Sequence, residues 1–203
     1  MSDYSQVILH AEEFVRRIFS EDHSGHDAHH TFRVHALATR IARQEGADLP
    51  LVELAALLHD VDDHKISPET SENCLRAVAF LEKEGLEHSE IERIIRIIQQ
   101  ISFSRNTLPP DTPEAQCVQD ADRLDALGAI GIGRTFAFGG SRGRSMYDPE
   151  GIDPNSSIAH FYDKLLLLKD RMNTETGRRL AEKRDLYLRS FLEEFYAEWN
   201  GEW

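Results

Sequence analysis

The chain has 203 residues, enough for one ordinary domain with a sizeable core, and 36 acidic against 23 basic residues give it a formal charge of -13. That balance would repel a phosphate backbone and argues against general nucleic-acid binding, although a locally positive pocket could still hold one small anion. The two cysteines, Cys74 and Cys117, have no CxxC spacing, no leader-like segment opens the chain, and apolar runs such as "LAALL" and "LLLL" are too short to span a bilayer, so the expectation is a cytoplasmic protein with reduced thiols and no membrane association.

Apolar residues recur at helical spacing in nearly every segment. Val7, Phe14, Ile18 and Phe19 mark a first helix, and Val34, Leu37, Ala38, Ile41 and Ala42 a second that stops near Gly46. Leu51 to Leu58 form a third, which ends in the polar run His59, Asp60, Asp62, Asp63, His64 and Lys65. Ser67-Pro68 reads as a cap followed by proline, opening a helix with Leu75, Val78, Ala79 and Leu81 that closes at Gly85. Ser89 reads as the cap of an isoleucine-rich helix (Ile91, Ile94, Ile95, Ile98), and Thr112-Pro113 as the opening of "EAQCVQDADRLDALGAIG". Two final helices are expected over 157–172 and 175–199, and no strand pattern is evident. The fold class expected is all-α, in one domain over 1–203. Two irregular stretches interrupt it: 103–113, with three prolines, and 139–157, rich in Gly, Pro and Ser and long enough to suggest a functional loop.

The polar run after the third helix raises a question of cost, because burying such groups without partners is unfavourable. A shared cation would answer it. A helix that turns His30 inward buries Val34, Leu37 and Ile41 on the same side; His59 and Asp60 arrive at the end of the third helix; Asp122 sits among Val118, Leu124 and Leu127. Two imidazoles and two carboxylates from three helices make an incomplete shell, to be filled by water or substrate. This mixed nitrogen and oxygen set suits Mn²⁺, Fe²⁺, Co²⁺ or Ni²⁺, with Mg²⁺ also possible, better than a thiolate-type zinc site. Open positions on such an ion favour hydrolysis of a phosphoryl group.

In order along the chain, "HHTFRV", "LLHDVDDHK" and "DADRLDALGAIG" resemble the HD superfamily of metal-dependent phosphohydrolases, and are most similar to its small bacterial YedJ-like branch. The likeness covers about residues 25–140, with the helices of 157–199 expected to pack on that core. It implies an all-helical HD-type domain and assigns His30, His59, Asp60 and Asp122 as ligands of one divalent ion; His29 is the neighbouring alternative, and the following "TFRV" selects His30. It further implies that Asp63 serves as catalytic acid or base and Lys65 as a phosphate-binding cation. His26 and Asp27 would face the substrate or support the ligands. Arg33, Arg123 and Arg134 are candidates for gripping phosphate, since a guanidinium donates in a planar fork, and Arg142 or Arg144 could be brought in by the 139–157 loop acting as a lid. The substrate expected is a small phosphate ester or anhydride, a nucleotide first, handled by a monomer or homodimer.

Plainer readings stand beside these. His23 and His35 read as exposed histidines, Asp120 and Asp125 as cap, ion-pair or supporting residues, and Arg33 and Arg123 could simply pair with nearby carboxylates. "GGSRGR" lacks the Gly-Lys-Ser/Thr ending of a Walker loop. The functional alternatives are a non-catalytic nucleotide- or metal-binding sensor and a hydrolase of the stringent-response alarmone, although "HDVDDHK" departs from the "HDVVED" of the latter.

Overall fold

A computed structural model of the protein describes residues 4–20, 28–63, 69–70, 73–101 and 110–202. Among them every regular element is helical: α1 (Tyr4–Ile18), α2 (Ala28–Glu45), α3 (Leu49–Leu58), α4 (Leu75–Lys83), α5 (His88–Ile101), α6 (Pro113–Asp125), α7 (Gly128–Ser141), α8 (Ser157–Asp163) and α9 (Glu175–Asn200), with short 3₁₀ turns at Leu165–Leu167 and Lys169–Arg171. The all-α expectation holds. None of these helices is long and apolar enough to cross a membrane. The chain divides into two compact units, Met1–Asp122 and Arg123–Trp203, with the division falling inside α6.

In the first unit α3 is the central element. Leu51, Val52 and Leu54 to Leu58 are all buried, so its apolar surface runs right round the helix, as a core helix requires. It packs against α1, α2 and α5. Those neighbours each bring one apolar stripe: Val7, Ala11 and Val15 on α1; His30, Val34, Ala38 and Ile41 on α2; Ile91, Ile94, Ile98 and Ile101 on α5. Gly46 ends α2 at φ +72°, a left-handed conformation that any side chain would strain.

Several boundaries differ from those read in the sequence. Residues 69, 70, 73 and 74 form turns and α4 begins only at Leu75, so Ser67-Pro68, which lies outside the described residues, does not open it. Its buried face is Ala77, Phe80 and Leu81, while Leu75 is exposed. The residue before it, Cys74, is left-handed (φ 52°) and supplies no side-chain cap. The cap comes from a distance: the Asp62 carboxylate accepts from the backbone N–H groups of Arg76 (3.1 Å) and Ala77 (3.0 Å). Ser89 lies within the first turn of α5 rather than at its cap, and the Glu90 carboxylate accepts from the Glu87 N–H at 3.0 Å. By contrast Thr112 caps α6 as its sequence indicates, accepting from Ala115 N–H at 3.2 Å with Pro113 in the first turn.

In the second unit α7 and α8 pack together and α7 lies on α9. Phe136, Phe161, Phe191 and Phe195 form an aromatic core with ring centroids about 6 Å apart. The helix expected over 157–172 breaks at Lys164, whose dihedrals (φ -138°, ψ -58°) leave the helical region, and continues as two 3₁₀ turns. α7 runs on to Ser141, so the irregular segment is 142–156. It is internally bonded: Asp148 accepts from the N–H groups of Glu150, Ile152 and Asp153, which hold its carboxyl below the usual range, and Ser145 donates to Asp153 at 2.6 Å.

Candidate metal centre

The candidate donors come from α2, from the turn after α3 and from α6, all in the first unit. His30 points from the inner face of α2 and is 2% exposed, whereas its neighbour His29 is on the solvent side. The 3.6-residue period makes that choice, because Val34, Ala38 and Ile41 bury the same stripe. His59 and Asp60 follow the last residue of α3, where the helix can no longer supply partners for its final carbonyls. Asp122 lies on α6.

These four side chains converge. His30 Nε2 is 3.4 Å from Asp60 Oδ2 and 3.4 Å from Asp122 Oδ1, and His59 Nε2 is 3.4 Å from Asp60 Oδ2. Ligand atoms of His30, His59 and Asp122 all fall within 4.8 Å of one another, and the two imidazoles stand edge to face with centroids 5.5 Å apart. Donors bound about 2.1 Å from a shared ion lie roughly 3.0–3.4 Å from each other, and the three 3.4 Å approaches fall at the upper end of that range.

The chemistry of His59 supports the same fit. Its Nδ1 lies 2.8 Å from the Ala56 carbonyl oxygen. A carbonyl only accepts, so Nδ1 donates to it and Nε2 is the ring nitrogen turned toward Asp60. That Nε2 is buried and has no hydrogen-bond partner, its approach to Asp60 lacking the geometry of one. A buried ring nitrogen without a hydrogen bond costs free energy unless a ligand or cation meets it. At Asp122, burial favours the neutral carboxyl, but the hydrogen bond from His30 and the positive fields of His30 and His59 outweigh it and the opposing Asp60, leaving the pKa below the usual carboxylate value.

The other expected residues are distributed as follows. His26, Asp27 and Lys65 lie outside the described residues. Asp63 follows the HD pair by three positions, and its N–H donates to the Asp60 carbonyl at 3.0 Å. Arg33 is on α2, three residues beyond His30, half-buried. Arg123, Arg134 and Arg142 belong to the second unit. Arg123 donates to the Arg171 carbonyl, and Arg134 Nη1 donates to the buried Asp125 carboxylate at 2.7 Å. The guanidinium of Arg142 lies 5.4 Å from the Phe138 ring centroid, and Arg144 shares that ring at 5.3 Å. His35 is not exposed but largely enclosed, 3.9 Å from Glu53 Oε1. Asp120 is fully buried. Sequence reasoning missed the Ala56 carbonyl that orients His59; the available signal was a ring donor placed just past a helix end, three residues after an orphan carbonyl.

Comparison with known proteins places the fold in a family. The model of the HD domain matches residues 27–127. The uncharacterized protein YpgQ of Bacillus subtilis (strain 168) is 43% identical over 196 residues, covering 93% of this chain and 91% of that protein. An HD-superfamily hydrolase from Bacillus thuringiensis superposes with TM-score 0.84 at 42% identity, covering 98% of this chain and all of that one. The structure of Bacillus subtilis YpgQ in complex with ADP superposes with TM-score 0.77 at 39% identity over 93% of this chain and 97% of that one. HD domains bind divalent metal ions, and the His30, His59 and Asp122 cluster lies inside the matched segment. On its sequence, its helical fold and its relatives, this chain belongs to the HD-domain family of hydrolases.

Proposed function

We propose that the protein is a divalent-metal-dependent phosphohydrolase acting on a small phosphate ester or anhydride. A nucleotide is the first choice of substrate, with release of pyrophosphate from a nucleoside triphosphate ahead of monophosphate or cyclic phosphodiester cleavage. The observation that carries this reading is the cluster of His30, His59, Asp60 and Asp122, in which His30 lies 3.4 Å from both carboxylates and His59 Nε2, buried without a hydrogen bond, lies 3.4 Å from Asp60. Hydrolysis is the chemistry of the family, and the ADP held by YpgQ supports a nucleotide.

His30, His59, Asp60 and Asp122 would hold one ion, with Mn²⁺, Fe²⁺, Co²⁺ or Ni²⁺ favoured by the nitrogen and oxygen donors and Mg²⁺ possible. When bound, the ion supplies a lowered water pKa and Lewis acidity toward a phosphoryl oxygen. The rest falls to the chain. Asp63 takes the proton of the attacking water, and Lys65 and Arg33 offset charge on the phosphate oxygens. His26 and Asp27 orient substrate, and Arg142 is the candidate from the 142–156 segment, while the phosphate roles of Arg123 and Arg134 require sharing with their present partners.

The test is a screen of nucleoside mono-, di- and triphosphates and phosphodiesters with Mn²⁺, Mg²⁺, Co²⁺ or Ni²⁺, reading phosphate against pyrophosphate release. Wild type should turn over at least one nucleotide in a metal-dependent manner and Asp60→Ala none. Undiminished turnover in Asp60→Ala contradicts the reading.

A further inference from the structure

The HD pair sits in a turn, not in a helix, so something other than α3 must hold Asp60 where the centre needs it. From Leu58 onward the chain makes two short backbone bonds, Val61 N–H to Leu58 O at 3.3 Å and Asp63 N–H to Asp60 O at 3.0 Å. The His59 end of this turn is tied back to α3 through Ala56. The far end is tied to α4: Asp62 is 5% exposed, its Oδ1 accepting from Arg76 N–H and its Oδ2 from Ala77 N–H. Each carboxylate oxygen has its own backbone donor, which fixes the side chain in both position and rotation. The charge also meets the positive end of the α4 backbone, which Cys74 leaves uncapped. Val61, beside it, is fully buried.

We propose that Asp62 is a positioning residue of the metal centre: by bonding the first-turn amides of α4 it holds the 59–63 turn so that His59 and Asp60 face His30 and Asp122. It touches neither metal nor substrate and acts through Asp60, two residues before it. This inference rests on the metal reading above.

The test compares Mn²⁺ affinity, by calorimetry, in wild type, Asp60→Ala, Asp62→Asn and Thr174→Ala. Asn keeps the shape of the side chain but loses its charge and turns an NH₂ toward a backbone N–H. Thr174 caps α9 in the second unit, accepting from Gly177 N–H at 2.9 Å, and provides a cap loss unconnected with the turn. Asp62→Asn should weaken Mn²⁺ binding at least tenfold, whereas Thr174→Ala should lower the melting temperature and leave affinity within twofold of wild type. If Asp62→Asn also stays within twofold while Asp60→Ala loses binding, Asp62 is only a helix cap and the proposal is overturned, with the metal reading intact. Absence of Mn²⁺ binding in wild type overturns both. Should Asp62→Asn fail to fold, the unmodified protein decides: coupling is reciprocal, so saturating Mn²⁺ should slow deuterium exchange of the peptide containing the Arg76 and Ala77 amides several-fold. Unchanged exchange there overturns the proposal.

Discussion

His59 Nδ1 donates to the carbonyl oxygen of Ala56, one turn earlier at 2.8 Å, and this bond decides which ring nitrogen faces Asp60. With Nδ1 committed to that carbonyl, Nε2 is the ring nitrogen left to face a cation. The stability of the protein should therefore respond to metal through this residue. At a hundredfold excess of free Mn²⁺ over its dissociation constant, wild type should gain about 2.7 kcal/mol and a chelator should remove it. His59→Gln should gain little or nothing. Thermal unfolding with and without Mn²⁺ checks this, and an equal gain in the variant would contradict it.

Glu53 on α3 and Glu12 on α1 both face His35, yet burial outweighs them and holds its pKa below the ordinary 6.5; its Nε2 is buried without a hydrogen bond. The folded protein keeps His35 neutral while the unfolded chain takes up a proton below about pH 6.5. The stability from this residue is thus present above that pH and is lost as pH falls toward the folded pKa. Denaturant midpoints at pH 7.5 and 5.5 should fall further in wild type than in His35→Leu. Parallel pH profiles would contradict this account.

Arg134 is a third exposed, but its partner Asp125 is nearly fully buried at 2.7 Å. Removing the guanidinium deprives a buried carboxylate of a cation. The cost should be about 2–3 kcal/mol, below the 3–5 of a fully buried pair because water reaches part of the arginine. Arg134→Met should lower the unfolding free energy by that amount in denaturant unfolding, and unchanged stability would contradict this. A raised KM with intact stability would place the guanidinium on substrate.

The burial of His30 and the placement of Asp122 on a helix were legible in the sequence through local apolar pattern, whereas their grouping with His59 and Asp60 as one ligand set came from the family resemblance. His30 is separated from His29 by the buried stripe of Val34 and Ile41, and Asp122 is placed by the apolar residues of α6 around it. Thr112-Pro113 was legible for the same reason, since cap and helix are contiguous. What escaped was non-local. α4 takes its cap from Asp62, fourteen residues before Arg76, so no signal near Leu75 marks its start. The break at Lys164 lies in an apolar run, "LLLL", that reads equally well as a continuous helix. The role of the Ala56 carbonyl depends on where α3 runs out of partners, which the apolar pattern locates only to within a residue or two.

The central claim is that four side chains from α2, the end of α3 and α6 share one cation. Anomalous scattering at the manganese edge from crystals grown with Mn²⁺ tests it most directly. The account predicts one peak about 2.0–2.3 Å from His30 Nε2, His59 Nε2 and one oxygen each of Asp60 and Asp122. A peak bound elsewhere, with these four donors left uncoordinated, would contradict it.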